Sequence, residues 1–297
     1  MTVIHRYGSK IPNNIDGYYF KKLKIYKAAK NLKIETNLNF KKIKRWLDSK
    51  LFDYLRDKKI NNIKSDIVIV NSISGHELFK SNKYNYNKYN VLVVRESPRH
   101  FEYKFNEPNA LEKAKKMMAQ YKKYIFVSSN VLNEWKNILS LSTNQCTYVP
   151  NCIHEKEIKK ILLSQKKELK NKYNFLDKDF NIICVASVQY RKGQDIIIAL
   201  LEKLKKNIPN LKLHLVGNYK ENDPYYLNLI NHKNYNKYKK DIKFWGKRKD
   251  ACKIIYISDL FLLPTRAEAF PRVILESMAL KVPIASSNVD GIPEMLD

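Results

Sequence analysis

Glycine is scarce in this chain, seven among 297 residues, and cysteine is scarcer at four. A composition this poor in glycine keeps it where φ > 0 or a close backbone approach requires it. Four of the seven, Gly193, Gly217, Gly246 and Gly291, each follow a short strand-like run, at 182–186, 211–216, 242–245 and 283–286. The cysteines, Cys146, Cys152, Cys184 and Cys252, show no metal-type pairing, and Cys184 falls inside a strand pattern. Reduced thiols in a cytoplasmic protein are the expectation. Long apolar runs are also lacking: no window approaches the roughly 18 to 20 residues of a membrane span. The first ten residues have no apolar core of the kind a secretory signal needs.

Acidic residues are outnumbered, 29 against 56 Lys and Arg, giving a formal charge of +27. The imbalance is uneven. Residues 1–50 hold 13 basic and 3 acidic side chains, whereas 251–297 hold 4 and 6. A basic surface has sequence-independent affinity for phosphates, so nucleic acid is one partner class, although no nucleic-acid-binding motif is visible. An anionic membrane surface is another, because residues 20–33 form a basic amphipathic pattern suited to peripheral contact with its inner face. Over-use of Asn, Lys, Ile and Tyr also fits an AT-rich coding sequence, which leaves many lysines as surface filler.

Alternating strand-like and helix-like segments indicate an α/β architecture with parallel sheets, at a length suited to about two domains. In the first half, strands are expected at 66–70, 91–94, 124–127 and 147–149, with helices near 40–60, 107–122 and 130–140. Before residue 65 the periodicity is weak, and 81–90 reads as a loop. The resulting organisation is an N-terminal Rossmann-like domain over 1–153, a charged helical linker over 154–174 and a C-terminal Rossmann-like domain over 175–297.

Two stretches of the second half carry chemistry. In one, 181–186 reads as a strand, Ser187-Val-Gln-Tyr-Arg-Lys-Gly193 as a turn and 196–207 as an amphipathic helix. Arg191 and Lys192 beside Gly193 put two cations where a backbone can approach a diphosphate closely. In the other, Glu268 and Glu276 lie between apolar strands at 259–263 and 283–286. Pro271 suits the first position of the intervening helix, where its missing N–H costs nothing. Glu268 then falls on the strand-to-helix turn and Glu276 within the helix, at the end of the strands where an open α/β sheet binds ligands. A carboxylate there accepts hydrogen bonds from sugar hydroxyls, and the helix N-terminus faces an anion. Spacing alone leaves open a solvated helix residue and a loop charge.

These stretches resemble the signature of retaining glycosyltransferases of the GT-B fold, family 4 type, most closely from 181 to 297 and loosely from 66 to 153. The resemblance implies two Rossmann-like domains facing a cleft. It implies that Lys192 contacts the donor diphosphate, with Arg191 sharing that role, while Glu268 holds the transferred sugar and Glu276 the nucleotide ribose. Donor binding by Ser187, Gly193, Gly217, Gly246, Phe270, Pro271, Arg272 and Val273 follows from their places in the motif. The turn at 291–294 looks like the family's Gly-Gly-x-x-Glu segment, and Val149-Pro-Asn-Cys152 resembles its exit from the first domain.

Departures from the family pattern shape the expectations. Ser187 replaces an arginine that often contacts phosphate, and Pro271 replaces a glycine whose N–H it cannot supply. Many members place a cleft histidine after the strand matching 91–94; His100 or Arg95 is expected on that side. Family members continue beyond the Gly-x-Pro-Glu turn, so a sequence ending at Asp297 implies a truncated, incomplete second domain. The function expected is transfer of a sugar from a nucleotide-diphosphate donor to a glycan or lipid-linked acceptor with retention and without a metal or other cofactor. The alternatives are a catalytically silent nucleotide-sugar-binding or partner subunit and a basic nucleic-acid-binding protein.

Overall fold

The computed structural model describes residues 2–5, 16–19, 67–73, 89–103 and 107–296. The basic amphipathic pattern at 20–33 and the helix expected near 40–60 lie outside these residues. The chain divides into two compact units, residues 1–93 with 117–123, and residues 94–116 with 124–297.

In the first unit β1 (Thr2–His5) pairs in parallel with β2 (Asp16–Tyr19), and β3 (Ile67–Asn71) with β4 (Tyr89–Val94). Alternate residues of β4 are buried, as period-2 geometry requires of a strand packed on one face. Its buried Asn90 ties down the 117–123 segment. The amide donates to Gln120 O at 2.9 Å and accepts the Lys122 N–H at 2.9 Å.

In the second unit β5 (Lys123–Phe126) and β6 (Cys146–Tyr148) pair in parallel across the helix Ser129–Leu139. Ser128 caps that helix by accepting the Val131 N–H at 3.1 Å, and Ser140 closes it in the left-handed region. Trp135 is fully buried there, and its indole N–H donates to Glu96 O at 2.9 Å, so its one polar atom is satisfied.

The remaining strands form a five-stranded parallel sheet: β7 (Phe180–Val185), β8 (Leu211–Val216), β9 (Ile242–Gly246), β10 (Leu260–Leu263) and β11 (Ile284–Ser286), in the order β11-β10-β7-β8-β9. Both faces are covered. Ile182 and Cys184 of β7 join Leu211, Leu213 and Leu215 beneath the helix Gln194–Asn207. Ile183 points the other way, with Phe261 and Leu263, toward helices Ala251–Ile257 and Arg272–Ala279. Burial on two faces is why β7 and β10 read as near-continuous apolar runs, whereas β8 alternates through Lys212 and His214.

The 154–174 stretch forms two helices, Glu155–Leu162 and Lys166–Tyr173. Their Ile158, Ile161, Leu169 and Tyr173 are buried in the second of these cores. Among the described residues, no helix is long and apolar enough to cross a membrane.

Candidate functional site

The strand order places a switch point between β7 and β10: the chain runs outward through β8 and β9 on one side, then returns to add β10 and β11 on the other. Loops leaving the carboxyl ends of two such strands diverge, and the crevice between them is where open α/β sheets bind ligands. The 186–193 loop follows β7 and the 264–271 loop follows β10. Those two loops carry Lys192 and Glu268.

Backbone contact locks them together. A Cβ on Gly193 would lie 1.9 Å from Pro264 O, and Gly193 has φ +73°, so glycine is required twice over. Arg266 N–H donates to Arg191 O at 2.7 Å, and the Thr265 hydroxyl donates to the same oxygen at 3.0 Å. Arg266 also forks onto Asp195 at 2.9 and 2.6 Å, with its guanidinium 4.0 Å above the Tyr190 ring.

Inside this frame Arg191 and Lys192 both donate to Oε2 of Glu268, Arg191 at 2.8 Å. All three side chains are largely buried. Burial alone raises the Glu268 pKa, but the Lys192 and Arg191 charges outweigh it and hold the carboxyl below its usual range. Desolvation is the largest influence on Lys192 and pulls its ammonium below the ordinary lysine value, against the attraction of Glu268. Arg191, Lys192 and Glu268 thus form one charge cluster.

Glu276 sits elsewhere on the same loop–helix segment. It lies 3.8 Å from Arg272 within the helix and lines a hollow of about 220 Å³ with His154, Glu157, Arg248, Cys252 and Arg272 among its walls. Burial raises the Glu276 pKa and pushes the Cys252 thiol up to about 12. Lys192 and Glu268 are not among the residues lining that hollow. Pro271 caps the helix, at ψ 117°, rather than opening it, and the helix begins at Arg272. The reason is that Pro271 is still extended, which leaves the Arg272 and Val273 positions at its first turn.

The other expected positions fall around these two clusters. Ser187 O accepts from Gln194 Nε2 at 3.0 Å. At Gly217 a Cβ would lie 1.9 Å from Ala186 O, and its N–H donates to Gly246 O at 2.9 Å. Gly246 itself has φ +65°. Phe270 O accepts from Asn151 Nδ2 at 2.7 Å, and Asn151 Oδ1 accepts from Arg95 at 2.6 Å, so Arg95 reaches the Glu268 loop through Asn151. His100 lies in the Pro98–Phe101 turn, its ring edge-on to Phe101 at 5.3 Å. Its neighbours Ser97 and Arg99 reach the Glu268 cluster.

They do so through Asp290, a residue the sequence did not single out. Asp290 Oδ2 accepts the Glu268 N–H at 2.8 Å and the Ser97 hydroxyl at 2.6 Å, and Oδ1 lies 3.4 Å from Arg99 Nε. Four residues on, Glu294 accepts the Ser129 N–H at 3.1 Å, the Asn130 N–H at 3.0 Å and the Ser129 hydroxyl, anchoring the 291–294 turn on a helix N-terminus. Among the described residues no group of three His, Cys, Asp or Glu is placed to hold a metal ion.

Comparison with known proteins follows this geometry. Residues 165–297 match the family described as glycosyl transferases group 1. Over 170 residues the chain is 26% identical to N-acetyl-alpha-D-glucosaminyl L-malate synthase of Bacillus anthracis, covering 57% of this chain and 42% of that protein. Over 148 residues it is 25% identical to an uncharacterized glycosyltransferase of Methanocaldococcus jannaschii, covering 49% and 34%. The chain therefore spans less than half the length of these relatives. Among solved structures, Anabaena HepE in complex with UDP-glucose superposes with a TM-score of 0.69 at 16% identity, over 100% of this chain and 82% of that one. WaaG, a glycosyltransferase involved in lipopolysaccharide biosynthesis, superposes with a TM-score of 0.67 at 14% identity, over 99% and 74%. The fold is GT-B, and residues 165–297 are similar to the glycosyl transferases group 1 family.

Proposed function

We propose that this protein is a retaining glycosyltransferase of the family 4 type, moving a hexose from a nucleotide-diphosphate donor to a glycan or lipid-linked acceptor. The observation that carries the reading is the Arg191–Lys192–Glu268 cluster at the switch point of the second sheet. Relatives and neighbours support a donor of this class, since HepE structures contain UDP and UDP-glucose.

On this reading the incoming diphosphate takes over Lys192 and Arg191 from Glu268. The two cations then stabilise the charge that grows on the leaving diphosphate, with the N-terminal end of the 272–279 helix adding its dipole. The freed Glu268 carboxylate accepts hydrogen bonds from hydroxyls of the transferred sugar, and Glu276 accepts those of the ribose diol. These groups supply the electrostatic work, so we assign the reaction no metal or cofactor. Arg95 or His100 stands on the acceptor side. A lipid-linked or cell-surface polysaccharide precursor, met at the cytoplasmic face of an anionic membrane, fits the basic charge of residues 1–50.

Thermal-shift titration with UDP-, GDP- and ADP-glucose tests the reading. At least one donor is expected to raise Tm, and Glu276→Ala is expected to abolish the rise. Hydrolysis or transfer of that donor then separates an enzyme from a silent binder. Absence of a shift with every nucleotide sugar, alongside salt-sensitive binding of DNA or RNA, would overturn it.

A further inference from the structure

Asp290 combines three features that are costly separately. Its backbone has φ +49°, a left-handed conformation that glycine adopts without a Cβ clash and that L residues adopt infrequently. Its side chain is buried, and Oδ1 takes no hydrogen bond; the Arg99 charge lies 3.4 Å from it, with the Glu268 and Glu134 carboxylates also near. Burial pushes its pKa up, against the Ser97 hydroxyl and the Glu268 N–H. A glycine would remove all three. What aspartate adds is a carboxylate oxygen shared by the Glu268 N–H and the Ser97 hydroxyl.

The next residue holds the other side of Glu268. Gly291 N–H donates to Glu268 O at 3.3 Å, and a Cβ there would lie 1.8 Å from Ala269 O. Residue 268 is therefore held at both its N–H and its carbonyl by 290–291, while its carboxylate faces Arg191 and Lys192. Ser97 belongs to the turn that follows β4, so the hydroxyl bond joins that turn to the Glu268 loop.

We propose that Asp290 is a positioning residue: it fixes the Glu268 main chain, and so the reach of the Glu268 carboxylate, against the 97–101 turn. The part of this that concerns donor sugar rests on the glycosyltransferase reading above. The part that concerns the clamp does not.

Wild type, Asp290→Gly and Asp290→Asn of the full chain separate the two. Asp290→Gly suits the backbone and is expected to keep Tm at or above wild type. Amide exchange at Glu268, read by mass spectrometry on a peptide covering 264–271, should quicken by about tenfold once its acceptor is gone. Asp290→Asn keeps a side-chain oxygen acceptor and should retain wild-type exchange. UDP, GDP and ADP, and their glucose conjugates, are then titrated by calorimetry. Affinity for a glucose conjugate should fall about tenfold more in Asp290→Gly than affinity for the matching free diphosphate, because Glu268 holds the sugar whereas the diphosphate only displaces it. Unaltered exchange at Glu268 in Asp290→Gly, or equal losses for free nucleotide and conjugate, would overturn the proposal. Faster exchange in a protein whose wild type binds none of the nucleotides would leave the clamp standing and remove the donor reading.

Discussion

Arg191 and Lys192 meet on a single oxygen, Oε2 of Glu268. Two cations on one carboxylate leave a net positive charge in a largely buried place, which a doubly charged anion neutralises better than the glutamate does. On the proposed reading the cluster exchanges partner, and the cost of disturbing it is readable as stability.

Glu268→Gln removes the one carboxylate and leaves Arg191 and Lys192, both mostly buried, without a counter-charge. Urea unfolding should show a loss of about 3 kcal/mol, as when one partner of a buried pair is taken away. Lys192→Met combined with Glu268→Gln should cost less than Glu268→Gln alone, since one of the two uncompensated cations is then gone. A double variant that is simply the sum of its parts would mean that the pair contributes nothing as a pair.

Glu276 behaves in the opposite sense. Burial raises its folded pKa above the ordinary 4.5. The native state therefore binds this proton more tightly than the unfolded chain, and the stability so gained is full below pH 4.5 and lost as pH rises through the folded value. Glu276→Gln should raise Tm at pH 7 by about 2 °C, with the difference vanishing toward pH 4. The same variant should lose donor-induced stabilisation, a separation of stability from binding that differential scanning calorimetry with and without nucleotide sugar can read.

Glu294 satisfies two backbone N–H groups at the start of the 129–139 helix. Glu294→Ala should destabilise the protein by about 1 to 2 kcal/mol in urea unfolding, and Glu294→Gln by less, because the amide oxygen still accepts. Exchange of the Ser129 and Asn130 amides should quicken in the alanine variant.

His214 is buried between the second sheet and its aromatic cover, stacked on Phe175 at a 4.3 Å centroid separation. The Trp245 indole N–H donates to its Nδ1 at 3.2 Å, so the proton of the neutral ring lies on Nε2, facing Asn181 Oδ1 at 3.0 Å. Burial, helped by Lys243 and Lys212, depresses its pKa from 6.5 to about 3. Its contribution is present above pH 6.5 and lost as pH falls toward 3, at about 1 kcal/mol per pH unit. Urea titrations at pH 7 and 5 should show that slope in the wild type, and His214→Gln should flatten it.

Much of the second sheet was legible because β7 and β10 are buried on both faces and so announce themselves as near-continuous apolar runs. Glycines marked where loops touch: Gly193 against Pro264 and Gly217 against Ala186 are close approaches that a side chain would forbid. That Lys192 and Glu268 lie on loops after strands was legible from motif and position; their contact with each other was not. Nor was the clamp around them. Asp290 meets Ser97 across 193 residues and Asn151 meets Phe270 across 119, and no local pattern encodes partners that distant. Asp290 was further concealed because aspartate in a turn is ordinary, and only its positive φ and burial set it apart. The helix start was misplaced by one residue because proline is equally at home at the cap and just inside it.

The seam between Gly193 and Pro264 has a mechanical consequence. With a carbonyl filling the space a methyl would need, and Arg191 O gripped by both Thr265 and Arg266, the two loops cannot slide past each other. On the proposed reading Lys192 therefore leaves Glu268 by turning about its own side-chain bonds, a motion of picoseconds to nanoseconds rather than the microseconds of a hinge. A rigid cradle whose only moving parts are two flexible cationic arms would admit its anion without opening any gate.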